Sequence, residues 1–304
     1  MNYLKTFWAF SRPHTIIGSF LSILSLFLIA VAVAFPDSSS GAIEANLPVL
    51  WPTLIAALSC NIYITGLNQL QDIEIDKINK PWLPIPSGKL SINQARWIIG
   101  SCGIISIISA ALTNHVLLIL IGIIMLVGTA YSMPPLKFKR HHLAAAASIL
   151  FVRGVLVNVG MPVHFLYAFT GKLQMPPDVW PLTFFVVGFS LAIAWFKDIP
   201  DTGGDSAFKI KTLTLSLSPR AAFRYGVGVV SVSYIGLLVM AAFLSLRVNH
   251  LFFFSTHALL LLLFLAGASQ VQLNEPKKLK IFYLVFWGFF FAEYIVYALS
   301  YYLH

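Results

Sequence analysis

Eleven of the 304 residues are acidic, and two groups of them are spaced for joint work. Asp72, Glu74 and Asp76 follow Asn68 in NQLQDIEIDKINKP, and Asp198, Asp201 and Asp205 follow Trp195 in WFKDIPDTGGDS. Asn68, Asp72 and Asp76 recur at i, i+4, i+8, so a continuing helix stacks an amide and two carboxylates on one face. Carboxylates placed that way repel unless a cation sits among them. A few hard oxygen donors suit Mg²⁺ that shares its remaining coordination with a phosphate. Asp198, Asp201 and Asp205 recur at i, i+3, i+7. Pro200, Gly203 and Gly204 predict a helix end turning into a loop there, with Asp201 and Asp205 as its main ligands. Lys77 and Lys80 follow the first group, and Lys209 and Lys211 the second. Carboxylates that hold a divalent cation, with ammonium groups alongside, are what a diphosphate needs: the metal neutralises the leaving group and the lysines take the remaining oxygens.

The elements that must position these groups follow from composition. The chain is 58% hydrophobic and only 10% charged, and its apolar runs of roughly 18 to 25 residues each suffice to cross a ~30 Å hydrocarbon layer as a helix. Lipid cannot satisfy a free backbone, and long continuous runs favour helices over a barrel. The predicted fold class is therefore all-α, a polytopic transmembrane bundle making one domain over residues 1–304. Nine spans are predicted, at 14–35, 47–70, 94–112, 114–132, 143–165, 180–197, 220–246, 250–271 and 281–301. Sorting the loops alternately to two sides puts all but Arg153, Lys172 and Arg247 of the 20 Lys and Arg on one side, the predicted cytoplasmic one, together with the N-terminus and both acidic groups. The net charge of +9 then reads as orientation and attraction to anionic lipid, with no nucleic-acid partner. The first apolar run, ending in Ala32, Val33 and Ala34, is too long for a cleaved secretory leader and is read as a retained span. Cys60 and Cys102 lack CxxC spacing and are read as packing residues.

Residues 66–91 together with 195–213 resemble the two Asp-rich motifs of the UbiA superfamily of intramembrane prenyltransferases. The segments NQLQDIEIDKINKPWLPIPSG, FSRPHTIIG, AYSMPPLKFKR, VRGVLVN and FKDIPDTGGDSAFKIKTL are similar to the branch acting on homogentisate, and the resemblance covers essentially the whole chain. It implies nine transmembrane helices and Mg²⁺-dependent transfer of a long allylic prenyl group, phytyl or geranylgeranyl, from its diphosphate to homogentisate. CO₂ is lost in that reaction, which serves tocopherol-type prenylquinone synthesis. No Arg-rich, Ser-rich transit segment precedes the first span, which points to a bacterial protein, in a cyanobacterial inner or thylakoid membrane, or to an already processed organellar one. Another phenolic acceptor such as 4-hydroxybenzoate, with a different donor, is the alternative.

On that reading Asn68, Asp72 and Asp76 hold one metal ion, and Asp198, Asp201 and Asp205 the other. Tyr63, Tyr131, Phe151 and Trp195 are candidates to face an allylic cation, Tyr131 foremost. Many family members have a Tyr-x-x-x-Lys pattern here. In this chain the interval from Tyr131 to Lys137 is two residues longer and position 135 is Pro. Lys137 is taken as the diphosphate lysine, and Lys139 and Arg140 as membrane-edge anchors. Arg153 lies roughly ten residues into an apolar span, where a charge needs a partner or a polar cavity. It is expected to face the interior, with Asn158 nearby, and to contact the diphosphate or the acceptor's carboxylate in preference to pairing with Glu293. Arg12 and His14 are expected to meet the aromatic acceptor. A secondary transporter is the rival class, but it would carry its ionisable groups at mid-membrane, whereas here the acidic groups sit at helix ends. A CDP-alcohol phosphotransferase would need a DGxxAR segment, which the chain lacks. KLSINQARWIIG after the first acidic group and SLSPRAAFRYGVG after the second share a Leu-Ser turn and a basic helix start, as an ancient duplication would leave.

Overall fold

The computed structural model describes residues 3–37, 39–207, 217–244 and 246–303, without the side chains of 39–40, 142, 198, 200–207 and 276–277. Its regular elements are helical: α1 Tyr3–Phe10, α2 Pro13–Ala34, α3 Ser39–Gln71, α4 Ile73–Asn79, α5 Ile92–Thr113, α6 His115–Ser132 and α7 His142–Ile149. A π-helical stretch Leu150–Gly160 then leads into α8 Met161–Thr170, and α9 Val179–Ala207, α10 Pro219–Phe243, α11 His250–Ser269 and α12 Pro276–Leu299 complete the chain. Among the described residues nine stretches are long and apolar enough to cross a membrane, each overlapping one predicted span. The fifth, Leu143–Thr170, joins α7, the π stretch and α8 and runs five residues past its predicted end.

Local chemistry sets several of the boundaries. Ser91 accepts a hydrogen bond from the Gln94 amide while the Gln94 side chain accepts from the Ser91 amide, a capping box that starts α5. Ser218 caps α10 through the Ala221 amide. Thus the helix following each acidic group begins on a serine cap, as the paired Leu-Ser segments imply. α3 lies along α5, and α9 along α10. In each case the helix that carries the acidic residues is braced by the helix after it.

Two expectations at the acidic groups are corrected. The first group does not continue one helix: α3 stops at Gln71 and Asp72 leaves helical geometry (φ −114°, ψ 18°) before α4 begins. Asp72 is a residue type that favours a helix boundary, and the break parts Asn68 from the turn that carries Asp72 and Asp76. At the second group the helix does not give way to a loop but runs on to Ala207. Proline's fixed φ is compatible with helix, so Pro200 forfeits a backbone bond without forcing a stop.

The core packs α9 against α12. Phe189 of α9 stacks on Phe286 of α12 with centroids 4.1 Å apart, and Phe196 meets Phe282 and Phe286 edge-on. On α2, Leu26, Phe27, Ala30 and Val31 are fully buried, which makes the first span part of the bundle core. His257 of α11 and Glu293 of α12, both wholly buried, pair at 3.2 Å.

Candidate active site

A cavity of about 1240 Å³ opens among α2, α3, α6, the α7–π segment, α9 and α12. Asn68, Asp72, Asp76, Asn79 and Lys80 line it from the end of α3 and from α4, and Lys137, Lys139 and Arg140 from the loop before α7. Lys197 lines it from α9, one residue before Asp198. Further in stand Arg12, His14, Asn61, Tyr131, Arg153, Trp195, Tyr283, Trp287 and Tyr294, among apolar side chains such as Ile121, Ile124 and Leu191.

Lys139 is held at the polar end by a carboxylate. Its Nζ lies 2.5 Å from Asp72 Oδ1, with little of either side chain exposed. Burial lowers its pKa below the ordinary lysine value, against the pull of Asp72. The reading of Lys139 as a membrane-edge anchor is corrected. The break at Asp72 releases that carboxylate from capping α4 and turns it to the loop before α7, a register that spacing along the chain does not reveal. Lys137 lines the same cavity in left-handed geometry (φ 41°). Lys77, expected to bind diphosphate, is exposed and paired with Glu74 at 2.8 Å; Glu74 lines the cavity and Lys77 does not. The helical turn of α4 that faces Asp76 inward faces Lys77 out.

Asp76 is buried and its amide bonds the Asp72 carbonyl at 2.8 Å, so the two carboxylates are held one turn apart. With Asn68 they give two carboxylates and an amide, hard oxygen donors that fit Mg²⁺ but leave its coordination incomplete. Among the described residues no three His, Cys, Asp or Glu converge as a metal cage. The side chains of Asp198, Asp201 and Asp205 lie outside the described residues, as do Lys209 and Lys211 altogether; the backbone of α9 puts the three aspartates on one continuous helix.

The other expectations divide. Tyr131 and Trp195 line the cavity. Tyr63 does not: its hydroxyl bonds Thr129 at 2.8 Å within the α3–α6 contact. Phe151 is 44% exposed on the outer surface, where a lipid-facing position satisfies it. Arg12 and His14 line the cavity, and the His14 ring meets Trp287 edge-on at 5.1 Å. Asn158, expected to bind substrate, is fully buried outside the cavity wall, with its amide nitrogen donated to the Arg153 and Gly154 carbonyls and its oxygen accepting from the Tyr294 hydroxyl. Arg153 faces the interior as expected and stands over the rings of Trp287 (5.1 Å) and Phe290 (5.9 Å), while Glu293 is taken by His257. Sequence reading missed Trp287 and Tyr294, because in a chain that is 14% aromatic α12 reads as one more lipid-facing helix.

Helices enclosing a cavity with carboxylates and amines at its mouth and aromatic rings within define an intramembrane enzyme for an anionic-headed, long-tailed substrate. The chain belongs to the UbiA prenyltransferase family, whose pattern matches residues 16–292. It is 40% identical over 300 residues to the homogentisate phytyltransferase of Synechocystis sp., covering 99% of this chain and 96% of that one. It is 34% identical to the homogentisate geranylgeranyltransferase of Triticum aestivum, over 96% of this chain and 72% of that one. Its fold is similar to that of a UbiA homologue from Archaeoglobus fulgidus bound to GPP and Mg²⁺, with a TM-score of 0.60 at 15% identity, covering 96% of this chain and 99% of that one.

Proposed function

We propose that this protein transfers a long prenyl group, phytyl or geranylgeranyl, from its diphosphate to homogentisate with loss of CO₂, a step of tocopherol-type prenylquinone synthesis. One observation carries the reading: a single cavity joins Asn68, Asp72, Asp76 and Lys139 at its mouth to Tyr131, Arg153 and Trp287 inside an apolar bundle. The full-length likeness to homogentisate prenyltransferases supports the acceptor.

In this reading Asn68, Asp72 and Asp76 hold one Mg²⁺, and Asp198, Asp201 and Asp205 a second. Bound there, Mg²⁺ supplies positive charge to the departing diphosphate. Lys139, Lys137 and Lys80 take diphosphate oxygens not engaged by metal, with Lys209 and Lys211 from the segment after α9. As the allylic C–O bond breaks, its electron pair leaves on the diphosphate and the carbon chain becomes a cation. Tyr131 presents its ring face to that cation. The enclosing helices exclude the water that would quench it. The hydroquinone ring of the acceptor is electron-rich enough to attack directly; the attacked ring carbon then loses H⁺, and the carboxylate departs as CO₂, leaving its C–C electron pair on the side-chain carbon, which takes up H⁺ to become a methyl group. The prenyl tail lies among the apolar residues of the cavity. The protein sits in the bilayer with the acidic groups and N-terminus on the cytoplasmic side, as the distribution of Lys and Arg favours, in a bacterial membrane of the cyanobacterial kind.

Membranes carrying the protein, given labelled homogentisate and a panel of prenyl diphosphates with Mg²⁺ or with EDTA, test the proposal. The expected result is Mg²⁺-dependent prenylated product and stoichiometric CO₂ from the carboxyl carbon. Product from 4-hydroxybenzoate and none from homogentisate would replace the acceptor assignment.

A further inference from the structure

Arg153 carries a charge into the apolar bundle, yet among the described residues it forms no salt bridge. Among the described residues the carboxylate buried within a span, Glu293, is held by His257. A guanidinium so placed is costly unless an anion meets it. Two things hold it in position. Its guanidinium stands over the Trp287 and Phe290 rings of α12, a contact that favours the cation without neutralising it. Its own carbonyl accepts from Asn158 Nδ2 at 2.8 Å across a π-helical turn, and Asn158 Oδ1 accepts from the Tyr294 hydroxyl at 2.7 Å. Asn158 and Tyr294 are essentially unexposed, so this bond fixes the register of the π segment against α12. Widened turns of this kind recur where a helix must re-aim a functional side chain.

The contacts of the guanidinium's ring partner lead to a level of α3 set back from the aspartates. Its Trp287 partner packs against His14, and the next residue, Thr15, donates to Asn61 Oδ1 at 3.0 Å. From Asn61 to its end at Gln71, just before Asp72, α3 advances about 15 Å at 1.5 Å per residue. A diphosphate gripped at Asp72 and Lys139 thus leaves Arg153 to a group further along the cavity, beyond the carbon where the new bond forms. We infer that Arg153 anchors the acceptor's carboxylate, and that Trp287, Phe290, Asn158 and Tyr294 are the residues that position it. The inference rests on the acceptor proposed above and assigns the discriminating feature of that acceptor to one side chain. The anchor acts at binding and ring placement, before the carbon–carbon bond to the carboxyl group breaks.

The test uses the full-length enzyme in lipid nanodiscs, as wild type, R153Q, R153K, Y294F and the R153Q/Y294F double variant. Steady-state KM is measured for homogentisate and for the prenyl diphosphate, and the methyl ester of homogentisate, which lacks the negative charge, is measured as a competitor. Wild type should bind the acid in preference to the ester. R153Q should raise KM for homogentisate by about tenfold to a hundredfold, the range for losing a hydrogen bond to a charged group. It should also erase the preference for acid over ester and leave KM for the diphosphate unchanged. R153K should keep part of the preference. Y294F should weaken homogentisate binding less than R153Q does, and add nothing in the R153Q background, because its effect passes through Arg153. If R153Q does not accumulate folded, R153K and Y294F decide by the same acid-to-ester ratio. An unchanged ratio, or an effect on diphosphate KM alone, overturns this inference while leaving the prenyltransferase reading intact. A wild type that processes no homogentisate overturns the acceptor reading and this inference with it.

Discussion

Asp72 has a choice of partners that decides what the mouth of the cavity does. As the residue before α4 it is placed to cap that helix, and it makes no such bond; its carboxylate instead meets Lys139. The pairing keeps a buried ammonium beside the oxygens proposed to hold Mg²⁺, where a diphosphate would find cation and amine together. Replacing Lys139 by Met should raise KM for the prenyl diphosphate by about tenfold to a hundredfold, on the scale of a charge-assisted hydrogen bond, and Arg at 139 should recover much of it. Lys77, half-exposed and paired only with Glu74, is the control: K77A should change neither KM nor stability appreciably, since such surface pairs contribute about 0–1 kcal/mol. Steady-state kinetics over a donor series reads both. Equal losses from K139M and K77A would show that the two lysines act only through bulk positive charge.

Between residue and bundle, the α7–π–α8 span is the element on which the interior of the site depends. Gly154 sits where a side chain would meet Val187 of α9 within contact distance, its backbone included. The close approach uses glycine as membrane helices commonly do, to bring two backbones together. G154V should force the π segment away from α9, costing about 1–3 kcal/mol as overpacking does, and should carry Arg153 out of line. Thermal unfolding in detergent together with homogentisate KM measures the two effects. A variant of unchanged melting temperature and activity would show that this contact does not govern the site. The same element marks the limit of what the sequence discloses. The nine spans were legible because hydrophobic run length is written directly in the residues, and Arg153 stood out because charge within such a run is rare. The π register was not legible, since α and π turns share the same residue preferences and differ in which carbonyl each amide meets. Nor was the pairing of Lys139 with Asp72, or the support of Arg153 by Trp287 and Tyr294. These depend on how helices distant in sequence are rotated against one another, and an aromatic on α12 has the same composition whether it faces lipid or the cavity. The break at Asp72 could have been anticipated from its preference for helix boundaries, had the repeat of four not argued for continuity.

At the scale of the molecule, acid-bearing helices stand at two places in the chain, α3 with α4 and α9, each braced by the long helix that follows. Phe189, Phe196, Phe282 and Phe286 hold α9 to α12, so the second acidic group is mounted on the same aromatic core that supports Arg153. If one diphosphate is gripped by divalent ions from both groups, ligand and metal together should tie those helices together, whereas either alone should leave them independent. Mg²⁺ with a non-reactive prenyl thiodiphosphate at about 100 times its dissociation constant should stabilise the folded protein by about 2.7 kcal/mol, seen as a rise in melting temperature. Mg²⁺ alone, or the analogue with EDTA, should give little. D72N and D201N should each abolish the joint effect if both groups are needed, and the two losses should not add, because the bridge fails when either end is removed. D201N with full protection would assign the metal to the α3–α4 group alone and reduce α9 to a wall of the cavity. Protection by the analogue in EDTA would mean that Lys139 and its neighbours hold the diphosphate without a metal ion.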